Sequence, residues 1–435
     1  MVQLTAIIIS LKEIKKNDNN WSVFALAKTL YYNHNTMKKI IFLLLILMTS
    51  CTGKNKETNL KSEQKTSIPL PVLDLQKQYP QKVINLQDIA DVEYIVLESH
   101  KNALAGSQYT VITDSMIVTF SSFEDNILFF HRNGKFSHSF NCKGESGKEY
   151  TAISDMRVNT AKKEIYINDN LRGFIQVYTY HGEYIRTLKI SKEAENGYKW
   201  GTIYNCDEEH ILAEDRWHVD EQKVRPTNHQ PYYRISTSDA SISRLPLYIE
   251  KRIRDGFKWY DEESDTFGSM GIGFSPVAYI NDELIITDFG LDTVYSYKEN
   301  LLTPIAIRKN RMKSEDVPII AGIEAITDKY YLWYAFEKDI KKTTWPDWTY
   351  LQDRRTGKCI QTKLMDKNIT DKEHRFRSRP SANDYTVPKH HIMQYYPAYV
   401  LIELLEEGKL QGELKEIASK MMEEDNPVIM LAKFK

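Results

Sequence analysis

A recurring unit constrains this chain more than any other feature: a strand, an acidic or glycine-containing loop, a second strand, then a tight turn and a third strand. The turn is plainest in Phe129-Phe130-His131-Arg132-Asn133-Gly134-Lys135-Phe136 and in Val177-Tyr178-Thr179-Tyr180-His181-Gly182-Glu183-Tyr184. Asn-Gly and His-Gly there offer the positive φ that a two-residue hairpin needs. Weaker copies fall at 234–242, 294–301 and 350–358. Successive turns are roughly 50 to 60 residues apart, the size of one propeller blade with a long connection. Preceding strands fit at 116–120, 164–168, 283–287 and 330–334. Five units plus one blade assembled from the two ends predict an all-β, six-bladed β-propeller over residues 85–435.

The C-terminal end departs from the repeat. Leu410, Leu414, Ile417, Ala418 and Met421 recur on one helical face, and Asp425-Asn426-Pro427 stops that helix because proline cannot continue it. The last apolar run, 428–434, has strand character and is expected to share a blade with 92–97, so that the two ends close the ring and leave no bare sheet edge. Composition agrees, with 27 Tyr against 18 Gly and 14 Pro, since tyrosine suits half-buried pleated surfaces. A net charge of -1 gives no electrostatic case for nucleic acid. Cys142, Cys206 and Cys359 are widely spaced without a CxxC, which excludes a disulfide scaffold or a zinc site by pattern and leaves open whether one pair forms.

Met37 to Cys51, MKKIIFLLLILMTSC, has the parts of a bacterial export signal: Lys38 and Lys39, an apolar run, and small residues before a cysteine. The run is shorter than the ~20 residues that span a bilayer. It resembles a lipoprotein signal with Met48 where leucine is usual, which implies that Cys51 is the lipid-attachment residue and that a membrane is reached through that anchor. Residues 1–36 then read as an upstream extension before the true initiator Met37. The alternative, a translated extension, would count against lipidation. Residues 52–84 read as a tether and lead-in, since 52–67 lacks any apolar period.

Asn141-Cys142-Lys143-Gly144-Glu145-Ser146-Gly147-Lys148-Glu149-Tyr150, with 153–155 and 163–167 after it, resembles the glycine-rich turn and following strand of six-bladed β-propeller lipoproteins of anaerobic Gram-negative bacteria, a family of unknown function. Asp292-Thr293-Val294-Tyr295 with Leu302-Thr303-Pro304, and Asp425-Asn426-Pro427-Val428, are similar to two further signatures of that family. Ser146-Gly147-Lys148 departs from its usual Gly-Pro-Gly core. The resemblance implies an outer-membrane lipoprotein facing the periplasm or the cell surface, and it carries no catalytic residues to transfer.

Local motifs point to binding more than to catalysis. Gly144 to Lys148 lacks the spacing of a phosphate loop and reads as an inter-blade turn. Adjacent His390 and His391, with His374 and Asp371 upstream, would point to opposite faces of a strand and so suit a surface role better than one metal ion. No Gly-x-Ser-x-Gly elbow is present, and Asp261-Glu262-Glu263 reads as a solvated run. Trp345 and Trp348 flank Pro346 and form the candidate ligand platform, for a glycan or a peptide, against the competing use of tryptophan between blades. No catalytic residue, metal ligand or cofactor is predicted, although axial ligands for a divalent metal would be scattered through the sequence and escape a motif search. The expected function is a lipid-anchored binding module. The alternatives are a metal-dependent lyase or hydrolase with an axial site and a structural component of an outer-membrane complex.

Overall fold

The computed structural model describes residues 69–101, 103–106, 109–121, 125–189, 200–215, 230–250, 256–261, 266–271, 275–309, 319–337, 346–371, 374, 376 and 385–435. The leader, Cys51 and most of the proposed tether lie outside them. The described chain is a six-bladed β-propeller. Four consecutive strands make each of blades 1 to 5, which begin with Thr110–Ile112, Asp155–Asn159, Trp200–Asn205, Val277–Ile280 and Ile319–Ile326 and end with Phe136–Phe140, Tyr184–Lys189, Ile242–Arg244, Leu301–Lys309 and Cys359–Met365. Blade 6 is composite, as expected: Val428–Phe434 pairs antiparallel with His391–Tyr396 on one side and with the N-terminal strand Ala90–Val96 on the other.

Apolar clusters show how the ring closes. Along each strand successive side chains point to opposite faces, so Phe129 and Ile127 pack with Met156 and Ile165 of blade 2 while Phe130 and Leu128 pack with Ile429 and Leu431 of blade 6. Tyr166 and Val177 meet Ile211 and Tyr233 across blades 2 and 3, and Tyr204 and Leu212 meet Leu284 and Ile286 across blades 3 and 4. Ile285 and Val294 meet Trp333 and Tyr350 across blades 4 and 5, and Leu332 and Leu364 meet Met430 and Phe434 across blades 5 and 6. Each of the six interfaces carries an apolar cluster, with a second one of Phe289, Ile320, Tyr334 and Phe336 between blades 4 and 5, and together they return to the starting blade.

The propeller takes in more of the N-terminal segment than a boundary at residue 85 placed there. Val72–Asp74 adds a parallel strand outside blade 4, and Gln81–Asn85 adds one outside blade 5, before Ala90–Val96 enters blade 6. The segment therefore runs along three successive outer edges and covers backbone groups that would otherwise template aggregation. Two helices, Ala398–Glu406 and Gly412–Ala418, fill the connection before the last strand and bury Leu401, Leu404, Leu414 and Ala418 against blades 5 and 6. The sequence pattern anticipated the second helix and missed the first.

Turn chemistry also differs from expectation. At Arg132-Asn133-Gly134 only glycine has positive φ (+86°), the Gly134 amide donates to the His131 carbonyl at 2.9 Å, and the ladder shifts register between Phe129 and Phe130. This is a turn with a glycine bulge instead of a two-residue hairpin, and His181-Gly182 repeats it. The true two-residue turns are Asn281-Asp282 and Glu299-Asn300, each with both residues at positive φ between paired strand ends. Gly134 is demanded twice, because a Cβ there would stand 2.0 Å from the Val96 carbonyl oxygen of blade 6, whereas one on Gly173 (φ +71°) would meet nothing. Gly134→Ala should therefore cost about 3 kcal/mol in urea melts and Gly173→Ala about 1 kcal/mol. Equal costs would show that the contact between blades 1 and 6 is not tight.

Candidate functional site

The three sequence signatures prove to be latches between elements. In the turn before blade 2, Tyr150 is fully buried, its hydroxyl donates to the Asp125 carbonyl at 3.1 Å, and it accepts from the Cys142 amide at 3.2 Å. Arg172, Gln176 and Tyr178 of blade 2 donate to the carbonyls of Ser146, Gly147, Lys148 and Glu149 at 2.8–3.1 Å. The Ser146 amide donates to the Glu149 carboxylate at 2.8 Å, a bond that holds that carboxyl below the usual carboxylate range. A loop whose carbonyls are clamped by donors and whose concavity holds a carboxylate cannot cradle phosphate, which agrees with the inter-blade reading. In the second signature the Asp292 carbonyl accepts from the Arg308 amide at 2.9 Å, and the buried Arg308 guanidinium donates to the carbonyls of Thr287, Asp288 and Leu291 at 2.6–3.1 Å and to that of Ala321 in blade 5. In the third, Asn426 donates to the carbonyls of Glu98 and Ala103 at 2.9 and 2.7 Å and accepts from the Ala105 amide at 2.8 Å, which ties the last strand to the exit of the N-terminal one.

With the motifs absorbed by the fold, the candidate site is the axis, bordered by the first strand of each blade. Two ends can be told apart. One carries the short turns, 113–115, 160–163, 281–282 and 327–329 between first and second strands, and the third-to-fourth turns. The other carries the long connections, including the hairpin Gly256–Asp261 with Thr266–Gly271 and the two helices.

At the short-turn end a single segment runs past the inner strands. Tyr385–Thr386 pairs parallel with Thr110–Val111 of blade 1, and Thr386 accepts from the Asn205 side chain of blade 3 at 3.4 Å. The amide of His390, a residue at φ +62°, donates to Asn281 Oδ1 of blade 4 at 2.8 Å, and its Nδ1 lies 3.3 Å from the Ile326 carbonyl of blade 5. The chain between 385 and 390 thus touches blades 1, 3, 4 and 5 before it enters blade 6, and it forms a floor. His391 turns elsewhere, with Nδ1 at 2.7 Å from the Lys389 carbonyl, and Asp371 pairs with Lys409 at 3.2 Å. His390 is a structural element of this floor, and His391 begins the blade 6 strand.

Polar groups on the inner strands are mostly satisfied. Asp155 pairs with Arg157 at 2.7 Å, accepts from the Ile203 amide of blade 3 at 2.8 Å, and both side chains are buried. Thr110 bonds Thr119 at 3.0 Å and also Tyr395. Glu324 is the exception. It sits in the first strand of blade 5, where Ile323 pairs with Trp333 and Ala325 with Leu332, so Glu324 is the extra residue of a β-bulge. The bulge reverses the alternation, and Ala325 packs toward blade 6 and Ile326 toward blade 4. Glu324 is only 7% exposed, and its Oε1 is buried without a hydrogen-bond partner. Burial pushes its carboxyl well above the usual carboxylate range. Its place on a bulge left no sequence signal, since an acidic residue inside an apolar run looks like a strand end.

Of the sequence candidates, Trp345 and Cys51 lie outside the described residues. Trp348 is half-buried at the start of Asp347–Asp353, where that strand leaves a long connection, and it packs beside the cluster between blades 4 and 5. Trp333 is fully buried and donates to Gln352 at 3.0 Å. Cys142, Cys206 and Cys359 are free thiols belonging to different blades, and burial pushes Cys359 up to about 12. Among the described residues no group of three or more His, Cys, Asp and Glu is placed to hold a metal ion, and no helix is long and apolar enough to cross a membrane.

A sheet ring whose signatures are all structural defines a class of propeller, and the sequence comparison gives the family. Residues 70–433 match the model of the Domain of unknown function (DUF4934), and the chain belongs to that family. No curated protein matches the sequence. The fold is similar to that of a Bacteroides fragilis protein named "Putative exported protein", with 11% identity, a TM-score of 0.58, and coverage of 84% of this chain and 99% of that one. A member of the DUF4221 family from Bacteroides vulgatus is also similar, with 9% identity, a TM-score of 0.47, and coverage of 80% and 99%.

Glu324 sets a testable pH dependence. In the unfolded chain its carboxyl ionises near ~4.3, while the folded carboxyl keeps its proton to higher pH. The folded state therefore holds more protons, and this contribution is full below about pH 4 and is lost, at up to about 1.4 kcal/mol per unit, as pH rises through the folded value. Glu324→Gln removes the slope. Urea melts of the two proteins should agree near pH 4 and diverge toward pH 7, with the variant the more stable; a pH-independent difference would contradict the assignment.

Proposed function

We propose that the protein is a binding module of the cell envelope, held to the membrane by a lipid on Cys51 and taking a glycan or peptide ligand at the long-connection end of the propeller. The observation that carries this reading is the asymmetry of the axis: a floor of residues 385–390 at the short-turn end, and long connections gathered at the other. A rigid ring with loops gathered at one end is a concave site that requires no catalytic group. The leader sequence and the exported relative support an outer-membrane location facing the periplasm or the surface. Trp345 and Trp348 are the proposed aromatic platform, with Trp348 at the rim of that end.

The test is a glycan and peptide panel against the full chain, followed by titration of any hit. Saturable binding that Trp348→Ala weakens by about 1 kcal/mol or more, and that Trp348→Phe largely retains, is the expected result. No saturable binding to either panel would overturn the reading.

A further inference from the structure

Blades 1 to 5 each have four consecutive strands of their own, and blades 4 and 5 gain one more from the N-terminal segment. Blade 6 has three: His391–Tyr396 inside, Val428–Phe434 in the middle and Ala90–Val96 outside. Pairing of the two chain ends therefore closes the ring but leaves this sheet one strand short. Among the described residues, no group bonds the main chain of residues 91–95 on the side away from Val428–Phe434. Alternate residues of an outermost strand aim their N–H and C=O groups outward, and such a row is a template for another strand. Both faces of the strand are already held. Val92 and Tyr94 pack toward blade 5 and the C-terminal helices, and the Tyr94 hydroxyl donates to Asp366 at 2.7 Å and accepts from the Asn368 side chain at 2.8 Å. Ile95 packs toward blade 1, whose Arg132 pairs with Glu93. At the far end a Cβ on Gly134 would stand 2.0 Å from the Val96 carbonyl oxygen, so the blade 1 turn closes the edge there. What remains is a fixed, extended edge over residues 91–95, about 17 Å long.

We infer that this edge is a docking site for an extended segment of a partner polypeptide, which adds antiparallel as the fourth strand of blade 6. Only a strand matches a row of alternating main-chain donors and acceptors. The chain itself extends blades 4 and 5 by edge pairing, with added strands of 3 and 5 residues. Side chains on the two faces set the sequence pattern of the partner. Asp91 and Glu93 share one face with 77% and 50% of their side-chain surface exposed, and their contacts with Lys435 and Arg132 are surface pairs that contribute little. Val92 and Tyr94 share the other face, in the apolar cluster that also takes in Ile417 and Met421. The segment that fits alternates basic with apolar residues. A second copy of this chain fits less well, because antiparallel self-pairing over the whole of 91–95 sets Glu93 against Glu93, and like charges directly opposite are unfavourable. The edge lies on the outer rim and does not depend on the ligand proposed for the axis.

Hydrogen exchange of the full chain, read by mass spectrometry on peptic fragments, tests this with a short peptide of alternating lysine and valine at up to about 1 mM. The controls are a peptide of alternating glutamate and valine and the lysine–valine peptide with every amide N-methylated. The expected result is exchange about tenfold slower across residues 91–95, saturating with the lysine–valine peptide. Tyr184–Lys189, the outer strand of blade 2, should not change, and neither control should act. In the double variant Asp91→Lys with Glu93→Lys the preference should reverse, so that the glutamate–valine peptide slows exchange instead. No slowing at 91–95, equal slowing in the outer strand of blade 2, an unimpaired N-methylated peptide, or an unreversed preference in the folded variant would overturn the assignment. A concentration-dependent dimer of the peptide-free chain with 91–95 protected would also overturn it and give the edge to a second copy. The wild-type measurements decide even if the double variant fails to fold.

Discussion

Every blade of this ring is apolar on both faces, so no sheet can satisfy its burial alone and each depends on two neighbours. That mutual dependence puts the whole load on the sixth sheet, whose strands come from opposite ends of the chain. Val428–Phe434 is central in it, with all but Lys433 of its side chains buried, and it supplies apolar residues to both adjoining interfaces: Met430 toward blade 5 and Ile429 and Leu431 toward blade 1. Asn426 fixes its approach, and Gly134 lets the blade 1 turn close on the Val96 carbonyl. The same logic explains the N-terminal strands outside blades 4 and 5, which cap edges that closure of the ring does not reach.

Much of this was legible in the sequence because it depends on local chemistry. The five turns, the strands before them, the helix carrying Leu414 and Ala418, and the pairing of the two ends follow from period and from turn residues. What the sequence concealed is long-range. Val72–Asp74 and Gln81–Asn85 are short and polar in part, and only their parallel partners in blades 4 and 5 make them strands. The helix Ala398–Glu406 follows Pro397 and reads as an apolar run that could be a strand. The turns at Asn133-Gly134 and His181-Gly182 take a bulge because only glycine there enters the left-handed region.

The candidate site was less legible for a physical reason. A propeller axis is lined by one strand from each blade, so its residues are spread over most of the chain and share no spacing. The motifs that stand out by composition, including the glycine loop before Tyr150 and the adjacent histidines, turn out to hold elements together. Glu324 is conspicuous only once its bulge and missing partner are seen.

The central claim is that the ring is one cooperative unit closed by its last strand. Native-state hydrogen exchange of the amides in Val428–Phe434, compared with those in Glu164–Asp169 of blade 2, tests it most directly. The account predicts that both strands exchange only through global unfolding, with equal free energies and equal dependence on denaturant. Exchange of the last strand at a clearly lower free energy, while blade 2 stays protected, would show that the sixth blade opens independently and would contradict the account.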